Sequence, residues 1–194
     1  MLKKFYMKKS TLIVVLVLSA LLMQYCKKSD SDSATTSNYA TYTFSSYIND
    51  TLWVPKNYNA QVAYTAATKT KTFTCTGSLN GQQVNLAINQ PNASSVGNGF
   101  PTGTFNIDPA TSKVVVTYAK AATTTGTVFV PQGTVKSGYI IVSAVDSVKM
   151  TMTGTYSFNT VSYTYDTGGN ITSLTVNAVS GGTFNSLPYT YKKQ

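Results

Sequence analysis

Acids, bases and metal ligands are scarce in this 194-residue chain, which has no His, Glu or Arg. The carboxyl-terminal body offers only Asp50, Asp108, Asp146 and Asp166 as acids. Two of these carboxylates could act as the acid and base of a glycosidase, and a Lys could activate a Ser or Thr hydroxyl. Each Asp lies on or near a predicted turn, however, where Asp commonly forms the turn itself. Without a zinc, haem or phosphate-loop motif, we predict no enzyme, no metal and no cofactor.

Aromatic side chains are the other candidates for ligand contact. Trp53, the only tryptophan, and Tyr58 are candidate stacking platforms for a sugar ring. Trp53 lies between aliphatic residues ahead of Pro55, so the competing interpretation, a Trp buried in the core, is favoured.

Five of the six Asp residues precede Ser or Thr, and three of these pairs are followed by an aliphatic residue. The pattern resembles the Asp-(Ser/Thr)-aliphatic acceptor of periplasmic O-glycosylation in Bacteroidota. Its candidate acceptor hydroxyls are Ser33, Thr51 and Ser147. At Ser147 the alternative, simple Asp-Ser turn chemistry, is slightly favoured.

The amino-terminal segment predicts export. A basic start precedes the apolar run Leu12–Met23, which is shorter than the roughly 18 residues of a bilayer-spanning helix, and Cys26 follows. We predict a signal peptide over residues 1–25, lipidation of Cys26, a flexible tether over 26–37 and a single domain over 38–194. The protein would then be an outer-membrane lipoprotein of the cell envelope, periplasmic or surface-exposed, held in the membrane by its acyl chains. The alternatives are an uncleaved signal anchor and a secreted protein.

Charge and cysteine content narrow the possible partners. From Cys26 onward eleven Lys face six Asp, and the lysines are dispersed along the chain and do not form a stripe, as expected for solubilising surface charge. Arg, the usual reader of phosphates and bases, is absent, so we predict no nucleic-acid partner. Cys75 alternates with apolar residues on one strand face and is predicted to be a buried, inert thiol.

Period-two alternation closed by Gly, Asn, Pro or Asp recurs throughout the body and predicts about ten strands. The clearest hairpin joins 71–79 to 82–89 through Asn80-Gly81, a dipeptide typical of a type I′ turn. Short turns without intervening helices indicate an antiparallel β-sandwich, with a lipocalin-like barrel as the alternative. The remaining predicted strands are 41–47, 51–54, 103–107, 113–119, 127–130, 138–145, 149–158, 161–165, 172–179 and 182–189.

A Gly-Thr-aromatic pattern occurs three times, beginning at Gly103, Gly154 and Gly182, and we interpret it as one structural solution used three times. Together with the segments 44–53 and 137–142, these repeats resemble a family of small Bacteroidota lipoproteins of unknown function. That resemblance covers most of the body and brings no catalytic residues with it. Asp50 stands where the family often has Gly.

These observations lead to one functional expectation and one alternative. We expect a lipid-anchored, non-catalytic binding module for a glycan or an envelope protein. The alternative is a structural or accessory subunit of an outer-membrane assembly without a small-molecule site. A concave face with exposed aromatics would favour the first, whereas a flat apolar patch or a bare edge strand would favour the second.

Overall fold

The computed structural model describes residues 42–94, 97–123 and 128–194, and these residues are all-β, as predicted. The predicted signal peptide, Cys26, the tether and Ser33 lie outside them. No helix that could cross a bilayer occurs in the described part of the chain. The twelve strands are β1 Phe44–Ile48, β2 Thr51–Trp53, β3 Asn57–Thr65, β4 Thr70–Leu79, β5 Gln82–Gln90, β6 Gly103–Asn106, β7 Val114–Ala121, β8 Phe129–Pro131, β9 Thr134–Asp146, β10 Thr151–Tyr165, β11 Ile171–Pro188 and β12 Thr190–Lys193.

The strands form two six-stranded sheets packed as a sandwich. Sheet A has the order β2-β1-β11-β10-β9-β6, and sheet B has the order β12-β3-β4-β5-β7-β8. Every neighbouring pair is antiparallel except β12 with β3, which is parallel. Because each sheet ends at two separate edge strands and does not close on itself, the sandwich is confirmed and the lipocalin-like alternative is wrong.

Several strand boundaries differ from the prediction. β3 and β12 were not predicted, since Ala60 and the alternating Asn and Gln of β3 weaken its strand signal. The predicted strands 149–158 and 161–165 are one strand, β10, and 172–179 and 182–189 are one strand, β11. The β10–β11 pairing register shifts at three places, Met152/Gly154, Tyr156/Phe158 and Thr164/Tyr165, and both strands continue through them. The Asn80-Gly81 turn is as predicted, with φ of 50° and 71° at its two residues.

The core lies between the two sheets and is strongly aromatic. Its largest fully buried side chains include Trp53, Phe73 and Tyr156. Phe44 lies at the centre of an aromatic group, with its ring 5.8 Å from that of Trp53 and 5.6 Å from that of Tyr156. Since burying one such side chain stabilises a protein by about 1.5–3 kcal/mol, this cluster dominates the stability of the sandwich. Cys75 is fully buried there, and burial raises the pKa of its thiol to about 12, as expected for an inert core thiol.

Two of the three Gly-Thr-aromatic segments pack against each other. Gly154 is opposite Phe184, and Gly182 is opposite Tyr156, so each segment's aromatic ring covers the other segment's glycine. A Cβ at Gly182 would lie 2.6 Å from the Tyr156 ring. At Gly103 a Cβ would meet no atom within 4 Å, so the interpretation of one solution used three times is wrong: the third glycine has no covering ring.

Candidate functional site

The predicted stacking residues lie in or against the core. Trp53 is only 2 % exposed and meets Phe44 edge to face, so the prediction that it could stack on a ligand is wrong. Tyr58 is half-buried, and its ring packs on the same Phe44 at 6.4 Å. The two candidate rings therefore converge on a core residue and do not share an exposed platform.

The four Asp residues of the body lie at turns, as predicted. Asp108 accepts a hydrogen bond from the Ala110 amide at 2.9 Å. Asp146 accepts two from the amides of the following turn, and these bonds hold the pKa of its carboxyl below its usual range. Asp50 adopts a positive φ of 63° in the tight turn between β1 and β2. Among the described residues, no cluster of His, Cys, Asp or Glu side chains could hold a metal ion.

Two of the three predicted glycosylation acceptors can be placed. Thr51 is exposed at the first residue of β2, and Ser147 is exposed in the turn between β9 and β10. Exposure at a turn is what a transferase needs to reach a hydroxyl, so both remain predictions. Ser33 lies outside the described residues.

The most unusual surface is formed by the carboxyl-terminal end of β10 and the amino-terminal end of β11, which extend beyond the neighbouring strands. The pairing of β9 with β10 ends at Val161, and the pairing of β1 with β11 ends at Val179. Within the part of the chain that the structure describes, the two strands beyond these points pair only with each other, up to Tyr165 and Ile171. We call this two-stranded extension, residues 161–176, the ribbon.

The amphipathic pattern inverts where the ribbon begins. Along the main part of β10 the core-facing side chains include Tyr156 and Phe158, whereas the solvent-facing ones are Thr, Ser and Asn. In the ribbon the core side carries Ser and Thr, and the apolar residues face solvent. They form three cross-strand pairs, which share one face: Val161 with Val176, Tyr163 with Leu174, and Tyr165 with Ile171.

These six residues make up what we call the ribbon face, and most of its area is open to solvent. Five of its side chains, all except that of Val161, are 43 % to 58 % exposed. The rings of Tyr163 and Tyr165 lie 6.4 Å apart on it. At about 200 Å² for each large side chain, these five expose on the order of 500 Å², near the upper end for the largest apolar patch of a monomer. Such a patch marks an interaction surface more often than a solvated one.

Hydrogen bonds fix both ends of the ribbon. At its root, the buried Thr160 and Asn177 side chains both donate to the Gln132 carbonyl, at 2.6 and 3.3 Å. At its tip, Asp166 accepts hydrogen bonds from the amides of Gly168 and Asn170 at 2.9 and 2.8 Å. These bonds also lower the pKa of the Asp166 carboxyl. These bonds restrict the root and the tip of the ribbon, and a restricted surface loses less entropy on binding.

A second feature is a cleft of about 380 Å³ beside a buried lysine, which we call the Lys71 cleft. Lys71 is on β4, on the same inward face as Phe73, and is only 6 % exposed. Its Nζ donates to the carbonyls of Gly97 and Gly99 at 3.2 and 3.0 Å. The prediction that lysines are solvated surface charges is wrong for this residue. The cleft is lined by Lys71, Gln90, Ala93, Ser94, Gly99, Phe100 and Pro101.

Sequence analysis found neither surface. The alternation in Val161-Ser-Tyr-Thr-Tyr165 is a signal for the ribbon, but the prediction treats 161–165 as a strand separate from 149–158. Burial of Lys71 has no local signal, because Thr-Lys-Thr-Phe is equally typical of an exposed strand.

Comparison with known proteins gives no match for this chain: no family model, no curated protein and no solved structure is similar to it at a significant level.

Proposed function

We propose that this protein is a lipid-anchored, non-catalytic binding module of the cell envelope that docks a protein partner on its ribbon face. The location rests on the amino-terminal sequence, with its signal-like run and Cys26. The binding role rests on one observation, the inversion of the amphipathic pattern that leaves Tyr163, Tyr165, Ile171, Leu174 and Val176 exposed on the ribbon. Without a partner, exposing this area to water is unfavourable by about 25 cal/mol per Å².

The chemistry of the ribbon face favours a protein over a neutral glycan. Glycan sites combine an aromatic platform with polar groups that bind the sugar hydroxyls, whereas this face pairs tyrosines with Val, Leu and Ile. The Thr and Ser residues that could bind hydroxyls lie on the opposite side of the ribbon. Between Met150 and Tyr191 the chain carries one charged residue, Asp166 at the tip, so the surface matches the uncharged centre of a protein interface.

The alternative, a structural or accessory subunit of an outer-membrane assembly, would use the same surface. The observation that favours it is the pair of open edges, since from Val161 to the tip neither strand of the ribbon has a third strand beside it among the described residues, apart from the last β9 pair at Val161 itself. Unpaired backbone groups at such edges can add a strand from another chain. A permanent subunit would be bound stoichiometrically, whereas a ligand-binding module would exchange its partner.

Site-specific photocrosslinking in the native host tests the proposal. A benzophenone side chain replacing Tyr165 should yield an adduct of one defined mass. The same group at Thr164, the neighbouring residue on the polar side, is the matched control and should yield none. Leu174→Thr should reduce the adduct from position 165 at least fivefold. Equal adducts from both faces, or no adduct from position 165, would refute docking on the ribbon face, and an adduct of twice the chain mass would identify the partner as a second copy.

A further inference from the structure

Lys71 carries a positive charge that no carboxylate of the described residues neutralises. Lysine is almost never fully buried unless it is paired with an acid. Among residues 42–94, 97–123 and 128–194 the structure has one ion pair, between Lys149 and Asp146, and Lys71 has no carboxylate partner. Burial lowers the pKa of the Lys71 ammonium, because removing the charge from water is unfavourable. A bound anion would therefore offset the unfavourable free energy of burying the Lys71 charge.

The hydrogen bonds of Lys71 leave room for such an anion. An ammonium group has three N–H donors, and two of them are used by the carbonyls of Gly97 and Gly99. Lys71 lines the cleft, and we infer that its third N–H is the donor that a ligand bound there would use. A hydrogen bond from an ammonium to a carboxylate is about twice as strong as one between neutral groups.

The walls of the cleft are built before a ligand arrives. Gln90 is directly opposite Lys71 in the β4–β5 ladder. The Phe100 ring packs 6.0 Å from the ring of Phe73, which anchors the other wall in the core. Asn98 is fixed from both sides, since its amide donates to the Ser147 carbonyl at 2.9 Å and its carbonyl accepts the Tyr189 hydroxyl at 3.0 Å. The volume of about 380 Å³ lies within the range of small-molecule sites, about 300–1,000 Å³.

We propose that the Lys71 cleft binds an acidic sugar, a hexuronate, with the sugar carboxylate on the Lys71 ammonium. Half-buried Gln90, opposite Lys71, supplies an amide for ring hydroxyls, and exposed Pro101 supplies the apolar surface for the C–H face of a pyranose. This site is separate from the ribbon face, and it gives the module a small-molecule ligand as well as a protein partner.

Calorimetric titration of the full chain in detergent, with galacturonate as the probe, tests the assignment. Galacturonate should bind at least tenfold more tightly than galactose, which has the same ring without the carboxylate, and more tightly than acetate or inorganic phosphate. Lys71→Met should weaken galacturonate binding at least tenfold while the melting temperature holds or rises, since a buried charge is replaced by an apolar side chain of similar length. Lys69→Met, which removes an exposed lysine two residues away, is the matched control and should leave binding unchanged.

Four results would overturn the proposal: no binding of galacturonate, equal binding of galactose, equal or tighter binding of acetate or phosphate, and unchanged affinity in Lys71→Met. If Lys71→Met does not fold, Gln90→Ala provides the second test and should reduce the preference for galacturonate over acetate; an unchanged preference would also overturn the assignment. Leu174→Thr should leave galacturonate binding unchanged, so failure of the ribbon proposal and failure of this one are distinguishable.

Discussion

Gly182→Ala should be one of the most destabilising single-methyl additions in this protein. The new Cβ would lie 2.6 Å from three carbons of the Tyr156 ring. Carbon atoms in contact are normally about 3.5–4.0 Å apart, so the ring must move by about 1 Å. Tyr156 cannot move freely, because it is 1 % exposed, stacks on Phe184 and donates its hydroxyl proton to the Ser45 carbonyl at 3.1 Å.

The size of the effect follows from two costs, the overpacking of the Tyr156 ring and the loss of its hydrogen bond to Ser45. Overpacking a core costs about 1–3 kcal/mol, and breaking the buried Tyr156 hydrogen bond costs about 1–3 kcal/mol more. The expected loss is about 2–6 kcal/mol, a large part of the roughly 5–15 kcal/mol by which proteins are stable. In urea unfolding followed by Trp53 fluorescence, with a slope of about 2 kcal/mol per M, the midpoint should fall by roughly 1–3 M.

Two further variants test whether the Tyr156 ring constrains position 182. Gly99→Ala adds a Cβ at an ordinary 3.7 Å from Ser147 and at a φ that is not positive, so it should change stability by less than about 1 kcal/mol. Combining Gly182→Ala with Tyr156→Leu should cost at least about 1 kcal/mol less than the sum of the two single changes, because both act on one contact. A loss below about 0.5 kcal/mol for Gly182→Ala, or strict additivity in the double variant, would show that the ring does not constrain this position.

Four further predictions concern anchoring, modification, the thiol and pH. Cys26→Ala should abolish palmitate labelling and release the protein from membranes, and unchanged labelling would exclude the lipid anchor. The protein from its native host should be heavier than polypeptide plus lipid, with Thr51→Ala and Ser33→Ala each reducing the excess; equality with polypeptide plus lipid would exclude glycosylation. Cys75 should resist iodoacetamide at pH 8 until the protein is unfolded, because its pKa is about 12, so rapid labelling of the native state would contradict its burial. Folding lowers the pKa of Asp166, so this carboxylate stabilises the ribbon tip above its unfolded pKa of about 4 and loses that effect as the pH falls through the lower folded value. At low pH the backbone amides of the tip should therefore become mobile in ¹⁵N relaxation measurements. Amides that stay rigid down to pH 2 would contradict this prediction.

Local sequence patterns were sufficient for the fold class and for most strands. Alternation depends on neighbouring residues only, and the Asn80-Gly81 turn is specified by the left-handed backbone that those two residues tolerate. Cys75 and Trp53 were correctly favoured as core residues for the same reason, because their immediate neighbours are apolar on the same face. The positions of the Asp residues at turns were also evident from the sequence.

The features proposed to bind depend on contacts between distant parts of the chain. Whether the apolar side of Val161–Tyr165 faces a core or solvent depends on where β9 and β1 end, and the sequence of β10 does not contain that information. Lys71 is buried because the loop carrying Gly97 and Gly99, more than 25 positions away, supplies its carbonyl partners. Likewise, Gly154 and Gly182 are packing glycines, and Gly103 is not, because only the first two are covered by aromatic rings from another strand. Local backbone preferences thus specify the all-β character and the Asn80-Gly81 turn, whereas contacts between distant strands specify which apolar side chains face the core and which face solvent.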